Sequence, residues 1–162
     1  MLNDVLSKFI DINVPVKTCN FRCKYCYVTQ HRLFDSKKPV FKFTPAQLRR
    51  ALSTERFGGK CLLNFCAGGE TLLFPEILDY IKALLDEGHF VMIVTNGSCS
   101  QQIDKICEWD EDSRSRIFFK FSYHYEQLKL LNLFDRFFSN ISKIRSAGMS
   151  FTLEAVPYDG QI

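Results

Sequence analysis

The run Cys19-Asn20-Phe21-Arg22-Cys23-Lys24-Tyr25-Cys26 places three thiols within eight residues, spaced C-x3-C-x2-C. A loop this compact can wrap three thiolates around one metal centre. Soft thiolates select zinc, copper(I) or iron–sulfur clusters. A structural zinc site normally closes with four ligands, whereas here the local set stops at three and the nearest histidine is His31. Two readings stand at this point. One is zinc completed by a distant His or Cys, or thiols with no shared ion. The other is a four-iron cluster with one iron left open to a further ligand. The chain has seven cysteines, an odd count, and a disulfide framework is not expected.

Two further short motifs carry chemistry. Ala67-Gly68-Gly69-Glu70-Thr71 sets a glycine pair beside a carboxylate directly after an apolar run. Thr95-Asn96-Gly97 is a turn with a polar side chain. Read alone, each is an ordinary tight turn.

The elements that position these motifs follow from apolar periodicity. Five apolar runs read as strands, at 8–14, 61–66, 89–95, 116–123 and 150–156. Helical patterns separate them. One helix starts at Thr44, where Thr44, Pro45 and Gln47 form a capping box. A second starts near Pro75, buries Ile77, Leu78, Ile81, Leu84 and Leu85, and stops at Gly88. A third spans about 99–109. The fourth runs from about Glu126 to Ala147, with Phe134, Phe137, Phe138, Ile141 and Ile144 as its buried stripe and Gly148 as its end. Alternating strands and helices predict an α/β fold with parallel strands.

Alternation within the strands assigns their faces. Ile10, Ile12 and Val14 oppose Phe9, Asp11 and Asn13. Cys61, Leu63 and Phe65 oppose Leu62, Asn64 and Cys66. Ile117, Phe119, Phe121 and Tyr123 oppose Phe118, Lys120, Ser122 and His124. Phe151, Leu153 and Ala155 oppose Thr152, Glu154 and Val156. One face is apolar each time and the other carries polar groups. A doubly wound sheet would be apolar on both faces, so the pattern predicts a barrel-like sheet with helices outside and a polar interior. Lys120 and Glu154 are then two interior charges. They are expected to pair there, with Asp11 nearby.

The cysteine spacing, with Tyr25 before the last cysteine, resembles the signature of the radical S-adenosylmethionine (SAM) superfamily. Gly68-Gly69-Glu70 resembles the family's Gly-Gly-Glu motif and Thr95-Asn96-Gly97 its Thr-Asn-Gly. The likeness covers roughly residues 8–156, in the family's order. It implies an incomplete (β/α) barrel, about five parallel strands here, with Cys19, Cys23 and Cys26 on a [4Fe–4S] cluster. It also implies that SAM chelates the open iron, that Gly68 and Gly69 admit its methionine end and that Glu70 holds its amino group. Tyr25 would lie by the adenine. Ser122, His124 and Asn96 would contact SAM, and His124 would face ribose or substrate. The implied activity is reductive cleavage of SAM and hydrogen abstraction by a 5′-deoxyadenosyl radical. An external flavodoxin- or ferredoxin-like protein would be the electron donor, and the substrate is unidentified.

The remaining residues set bounds. Cys66 is expected on the inner face near the cluster, as a small buried hydrophobe or a substrate-facing thiol. Cys61, Cys99 and Cys107 have no ligand-like grouping. Lys37-Lys38 and Arg49-Arg50 read as solvated charges. The 162 residues carry a formal net charge of +3, which gives no indication of nucleic acid. No run of 18 apolar residues predicts a membrane span. The polar start Met1–Lys8 predicts a cytoplasmic protein. The expectation is one core domain, 1–162, incomplete at its C-terminal side: either a fragment of a longer protein, or a core whose missing wall comes from a partner or second copy. A non-catalytic zinc or cluster module, and a truncated SAM-binding relative that needs a partner for turnover, are the rival readings.

Overall fold

Lys8–Val14 (β1) starts a parallel sheet whose order is the order of the sequence. Cys61–Ala67 (β2), Phe90–Thr95 (β3), Ile117–Tyr123 (β4) and Ser150–Ala155 (β5) each pair with the strand before. The computed structural model describes residues 5–35 and 37–155. Val156, expected at the end of the fifth strand, lies outside them. The other four strands fall within a residue of the expected bounds.

Strand order settles the architecture. Parallel crossovers are almost always right-handed. When every crossover also steps in one direction, all the helices land on one face. A doubly wound sheet reverses its order midway and so covers both faces. Here the order never reverses, and the result is an open, incomplete (β/α) barrel. The outer face is fully buried: Leu63, Phe65, Val91, Ile93, Phe119 and Phe121 pack with Ile81, Leu84, Ile103, Phe137 and Ile144 in one core. The inner face stays partly open. Asp11 and Asn13 are exposed, and Asn64, Cys66, Lys120 and Ser122 are half-buried.

The helices are Tyr27–Gln30 (α1), Pro45–Ala51 (α2), Thr54–Phe57 (α3), Ile77–Leu85 (α4), Ser100–Cys107 (α5), Glu111–Ser115 (α6), Tyr125–Leu130 (α7) and Phe134–Ser146 (α8). The capping box on α2 is complete: Gln47 N donates to Thr44 Oγ1, and Thr44 N to Gln47 Oε1. Two expectations need correction. The helix read as 126–147 is two helices, broken at Asn132, whose φ of 52° is left-handed and tolerated best by Asn or Gly. Phe138 is exposed rather than buried. Asn140 takes a buried place on α8 instead and donates to Gly97 O at 2.8 Å. On β5, Phe151 and Leu153 remain partly exposed, because among the described residues no strand lies beyond this edge.

Lys120 and Glu154 do pair, Nζ to Oε1 at 2.9 Å, but in a half-open interior rather than a buried one. Asp11 does not join them; it accepts a 2.7 Å hydrogen bond from Asn64 Nδ2.

Candidate functional site

The site is built where strands end. After Val14 the chain continues toward the cysteines, and after Ala67 toward the glycine pair. Gly69 N donates to Val16 O at 2.9 Å and Glu70 N to Thr18 O at 3.0 Å. These bonds prolong the β1–β2 ladder past its last register pair, Val14 with Ala67. A Cβ on Gly69 would stand 2.0 Å from Thr18 O, whereas one on Gly68 meets nothing closer than Val16 O at 3.9 Å. Gly69 is therefore demanded by the cysteine loop itself, not by a ligand. Gly68 alone leaves open space of the kind expected for close ligand approach.

Two more strand ends grip the same loop. Beyond β3, Asn96 Nδ2 donates to Asn20 Oδ1 at 2.9 Å, and Asn20 Nδ2 donates to Ser98 Oγ at 2.7 Å. Asn96 Nδ2 also lies 3.8 Å from Cys19 Sγ. Beyond β4, the Tyr25 hydroxyl and His124 Nδ1 stand 2.7 Å apart, and Arg22 N donates to Gln127 Oε1 at 3.0 Å. Asn20, Ser98 and Gln127 were not singled out from the sequence. Asn, Ser and Gln are common in loops, and only the fold shows that they converge.

Glu70 ties the loops together. Its Oε1 accepts from Thr95 Oγ1 at 2.5 Å and from Leu72 N at 3.1 Å, and its Oε2 accepts from Asn96 N at 2.8 Å. It is buried, and burial raises its carboxyl above the usual range, against the pull of those three donors. A carboxylate offers about four acceptor positions, so one remains on Oε2. Gly97 closes the adjoining turn at φ 73°, where Phe137 leaves no room for a side chain.

Cys19, Cys23, Cys26, Gly68, Gly69, Glu70, Asn96, Ser122 and His124 all line one cavity of about 190 Å³. Tyr25 stands beside it, against His124 and Cys23. Tyr27, Val28, Ala67 and Gly68 separate this cavity from a neighbouring space that Cys66 also lines. Burial pushes Cys19 up to about 11 and raises Cys23 as well. Burial also lowers His124, which keeps its imidazole neutral at neutral pH. Cys99 lies closer to the site than its sequence context suggested: its thiol, raised by burial, feels Glu70 and Cys19.

The donor set can be tested against a metal. All seven cysteines are free thiols. Among the described residues no three His, Cys, Asp or Glu side chains gather around a single ion, and His31 is exposed on the surface. The three thiols line one cavity together with Glu70 and His124, and three soft donors in one compact loop fit an iron–sulfur centre. No helix among the described residues is long and apolar enough to cross a membrane.

Comparison with known proteins points the same way. A Methanocaldococcus jannaschii protein named as a candidate glycyl-radical enzyme activating enzyme is 31% identical over 96 residues, covering 57% of this chain and 34% of that protein. The solved structure of anSMEcpe with bound AdoMet superposes with a TM-score of 0.61 at 18% identity, over 90% of this chain and 41% of that one. BtrN in complex with AdoMet and 2-DOIA gives 0.56 at 15% identity, over 95% and 58%. The chain thus spans about a third of the curated relative it matches. The model of the radical SAM superfamily matches residues 13–161, nearly the whole chain, and the chain belongs to that superfamily.

Proposed function

We propose that this chain is the core domain, residues 1–162, of a radical SAM enzyme. The reading rests on one observation above the others: the three cysteines share a cavity with Gly68, Glu70, Asn96, Ser122 and His124 at the carboxyl ends of parallel strands, where barrel enzymes carry their sites. Cys19, Cys23 and Cys26 would hold a [4Fe–4S] cluster. With SAM bound, such a cluster would supply one-electron reductive cleavage of SAM, the chemistry that begins hydrogen abstraction from a substrate.

The chain's own residues have definite tasks. The three cysteines deliver thiolates, so loading the cluster releases protons. Gly68 leaves backbone free to meet the methionine end of SAM. Glu70 turns its remaining acceptor position toward the amino group while holding the loop of Thr95 and Asn96. Ser122 and Asn96 offer hydrogen bonds to the carboxylate and ribose. His124, neutral, holds Tyr25 beside the adenine position. Phe21 and Phe34 form apolar wall that excludes water. The substrate would occupy the polar interior below, between Asp11 and Lys120. The likeness to a protein named as an activating enzyme makes a polypeptide the first substrate class to test.

The test is anaerobic reconstitution with iron and sulfide, then SAM and dithionite, with 5′-deoxyadenosine as the readout. The wild type should form it and Cys23→Ala should not. Stoichiometric zinc with no product would refute the reading.

A further inference from the structure

Two spaces next to the cysteine cavity have no part in the reading above. The first, of about 240 Å³, lies against Ile12, Asn13, Val14 and Pro15 at the end of β1. Segment 40–43 and Tyr80 of α4 wall its other side. That wall is fixed before anything binds: the Tyr80 hydroxyl donates to Phe43 O at 2.7 Å, and the Phe41 and Tyr80 rings stack with centroids 4.4 Å apart. The second space shares Asn13, Val14 and Pro15 with the first, and Tyr27, Val28, Ala67 and Gly68 with the cysteine cavity. Asn13 and Cys66, register partners on the inner face of the sheet, both line it. The three spaces thus run in a row from the edge of the sheet, past the barrel interior, to the cysteine loop.

The two outer spaces are apolar and cationic. Among the described residues Lys42 is the one charged group lining the first and Lys17 the one lining the second. Both are exposed. Large apolar side chains stand open to water along the same line, Val40 at 80% and Phe43 at 62% on the first space, Tyr27 at 61% and Leu33 at 53% on the second. Exposed apolar groups gathered in one place mark an interaction surface. Among the described residues β1 pairs with β2 alone, so its other edge offers backbone N–H and C=O groups to an added strand. A compact ligand fills one space. An extended chain advances about 3.3 Å per residue with side chains on alternate sides, and so follows all three.

We propose that the three spaces form one track for an extended, acidic segment of a polypeptide substrate, anchored by a large apolar side chain in the cavity beside Tyr80. The proposal rests on the functional reading above for what becomes of the bound segment, and on the track alone for binding. The anchor buries apolar surface against walls already in place. Acidic side chains of the segment meet Lys42 and Lys17, which speed encounter and set the direction in which the segment lies. The middle of the track passes Asn13 and Cys66, and its far end brings one residue of the segment to the cysteine cavity. Recognition and reaction then fall on different residues of the substrate.

The test starts with random twelve-residue peptides displayed on phage and selected on the metal-free protein under anaerobic, reducing conditions. Enriched peptides should share one Phe, Trp or Leu beside Asp or Glu. The strongest, synthesised with a fluorescein label, is followed by fluorescence anisotropy. Alanine in place of its apolar anchor should weaken binding about tenfold or more. Val40→Glu with Lys42→Glu should weaken it about tenfold and flatten its dependence on salt. Arg145→Glu, an exposed cation elsewhere, should change it by less than about twofold, and unfolding midpoints of all three proteins should agree. A benzoylphenylalanine in the anchor's place should crosslink to segment 40–43 or α4, and one at the opposite end of the peptide to Tyr27 or its neighbours. No enrichment, enrichment without the pattern, equal binding by the alanine peptide or crosslinks elsewhere would each overturn the proposal. A dimer that Val40→Glu with Lys42→Glu dissociates would assign the face to a second copy and overturn it too. Binding needs no cluster, so the two readings fail separately. A wild type that binds the peptide but forms no 5′-deoxyadenosine with dithionite refutes the functional reading and leaves the peptide site. One that forms 5′-deoxyadenosine but binds no peptide refutes the track alone.

Discussion

Replacing Glu70 tests whether the cavity is held open by its own loops before any cofactor arrives. The carboxylate accepts from Leu72 N, Asn96 N and Thr95 Oγ1. In Glu70→Ala both backbone donors lose their partner in a buried place, and each such loss costs about 1–3 kcal/mol. The Thr95 hydroxyl can turn, and it already accepts from Gly97 N, so it adds little. Relief of the buried carboxyl offsets part of the loss. A net cost of about 3 kcal/mol follows. Glu70→Gln keeps an oxygen for Leu72 and Thr95 but sets an amide NH2 against Asn96 N, for about 2 kcal/mol. The pH profile separates charge from shape. Burial raises the native carboxyl, so the native state keeps its proton after the unfolded chain has lost it. The group's contribution is complete below the ordinary carboxylate value and is lost as pH rises through the raised one. Glu70→Gln lacks that component. The assay is urea unfolding of the metal-free protein under anaerobic, reducing conditions, followed by circular dichroism at several pH values. An alanine variant within about 0.5 kcal/mol of wild type would refute the latch, and so would a glutamine variant with an unchanged pH slope.

Gly69→Ala should destabilise by several kcal/mol, on the order of 3 or more, and load no cluster, because its Cβ meets backbone that cannot yield. Gly68→Ala should fold normally, and unfolding midpoints of the two variants check the contrast. A double-mutant cycle on Lys120 and Glu154 should give a coupling below about 1 kcal/mol, since the pair is half open to water. Burial lowers His124, so its contribution is present above the ordinary histidine value and lost as pH falls below it. His124→Phe should flatten the drop in melting temperature between pH 7 and pH 5, and a drop of unchanged size would contradict the assignment.

The strands were legible because period-two alternation survives burial on one face only, and that same one-sidedness revealed the barrel. The grouping of the cysteines was legible because three thiols within eight residues must fall in one loop, and they do line one cavity. What the sequence hid depends on contacts between distant segments. The grip of Asn96 and Ser98 on Asn20 spans more than 75 residues. The break at Asn132 was hidden because leucines on both sides kept the helical period intact. Phe138 looked like core because it sits four residues from Phe134. The place it seemed to hold is filled by Asn140, whose task, capping the turn at Gly97, exists only after folding. The charge pair at Lys120 was foreseen from alternation, but its openness was not. Openness is a property of the whole sheet rather than of one strand.

The two hydrogen bonds that carry the β1–β2 ladder into the cysteine loop have a practical consequence. Parallel strands advance about 3.3 Å per residue and reverse the side chains with each step. A slip of β1 by one residue against β2 would turn Val14 away from the core. It would also shift Cys19 along the glycine pair by the same 3.3 Å. If the cysteines hold the proposed cluster, iron incorporation doubles as a spectroscopic gauge of strand pairing, because a variant that takes on its brown colour has aligned its first two strands.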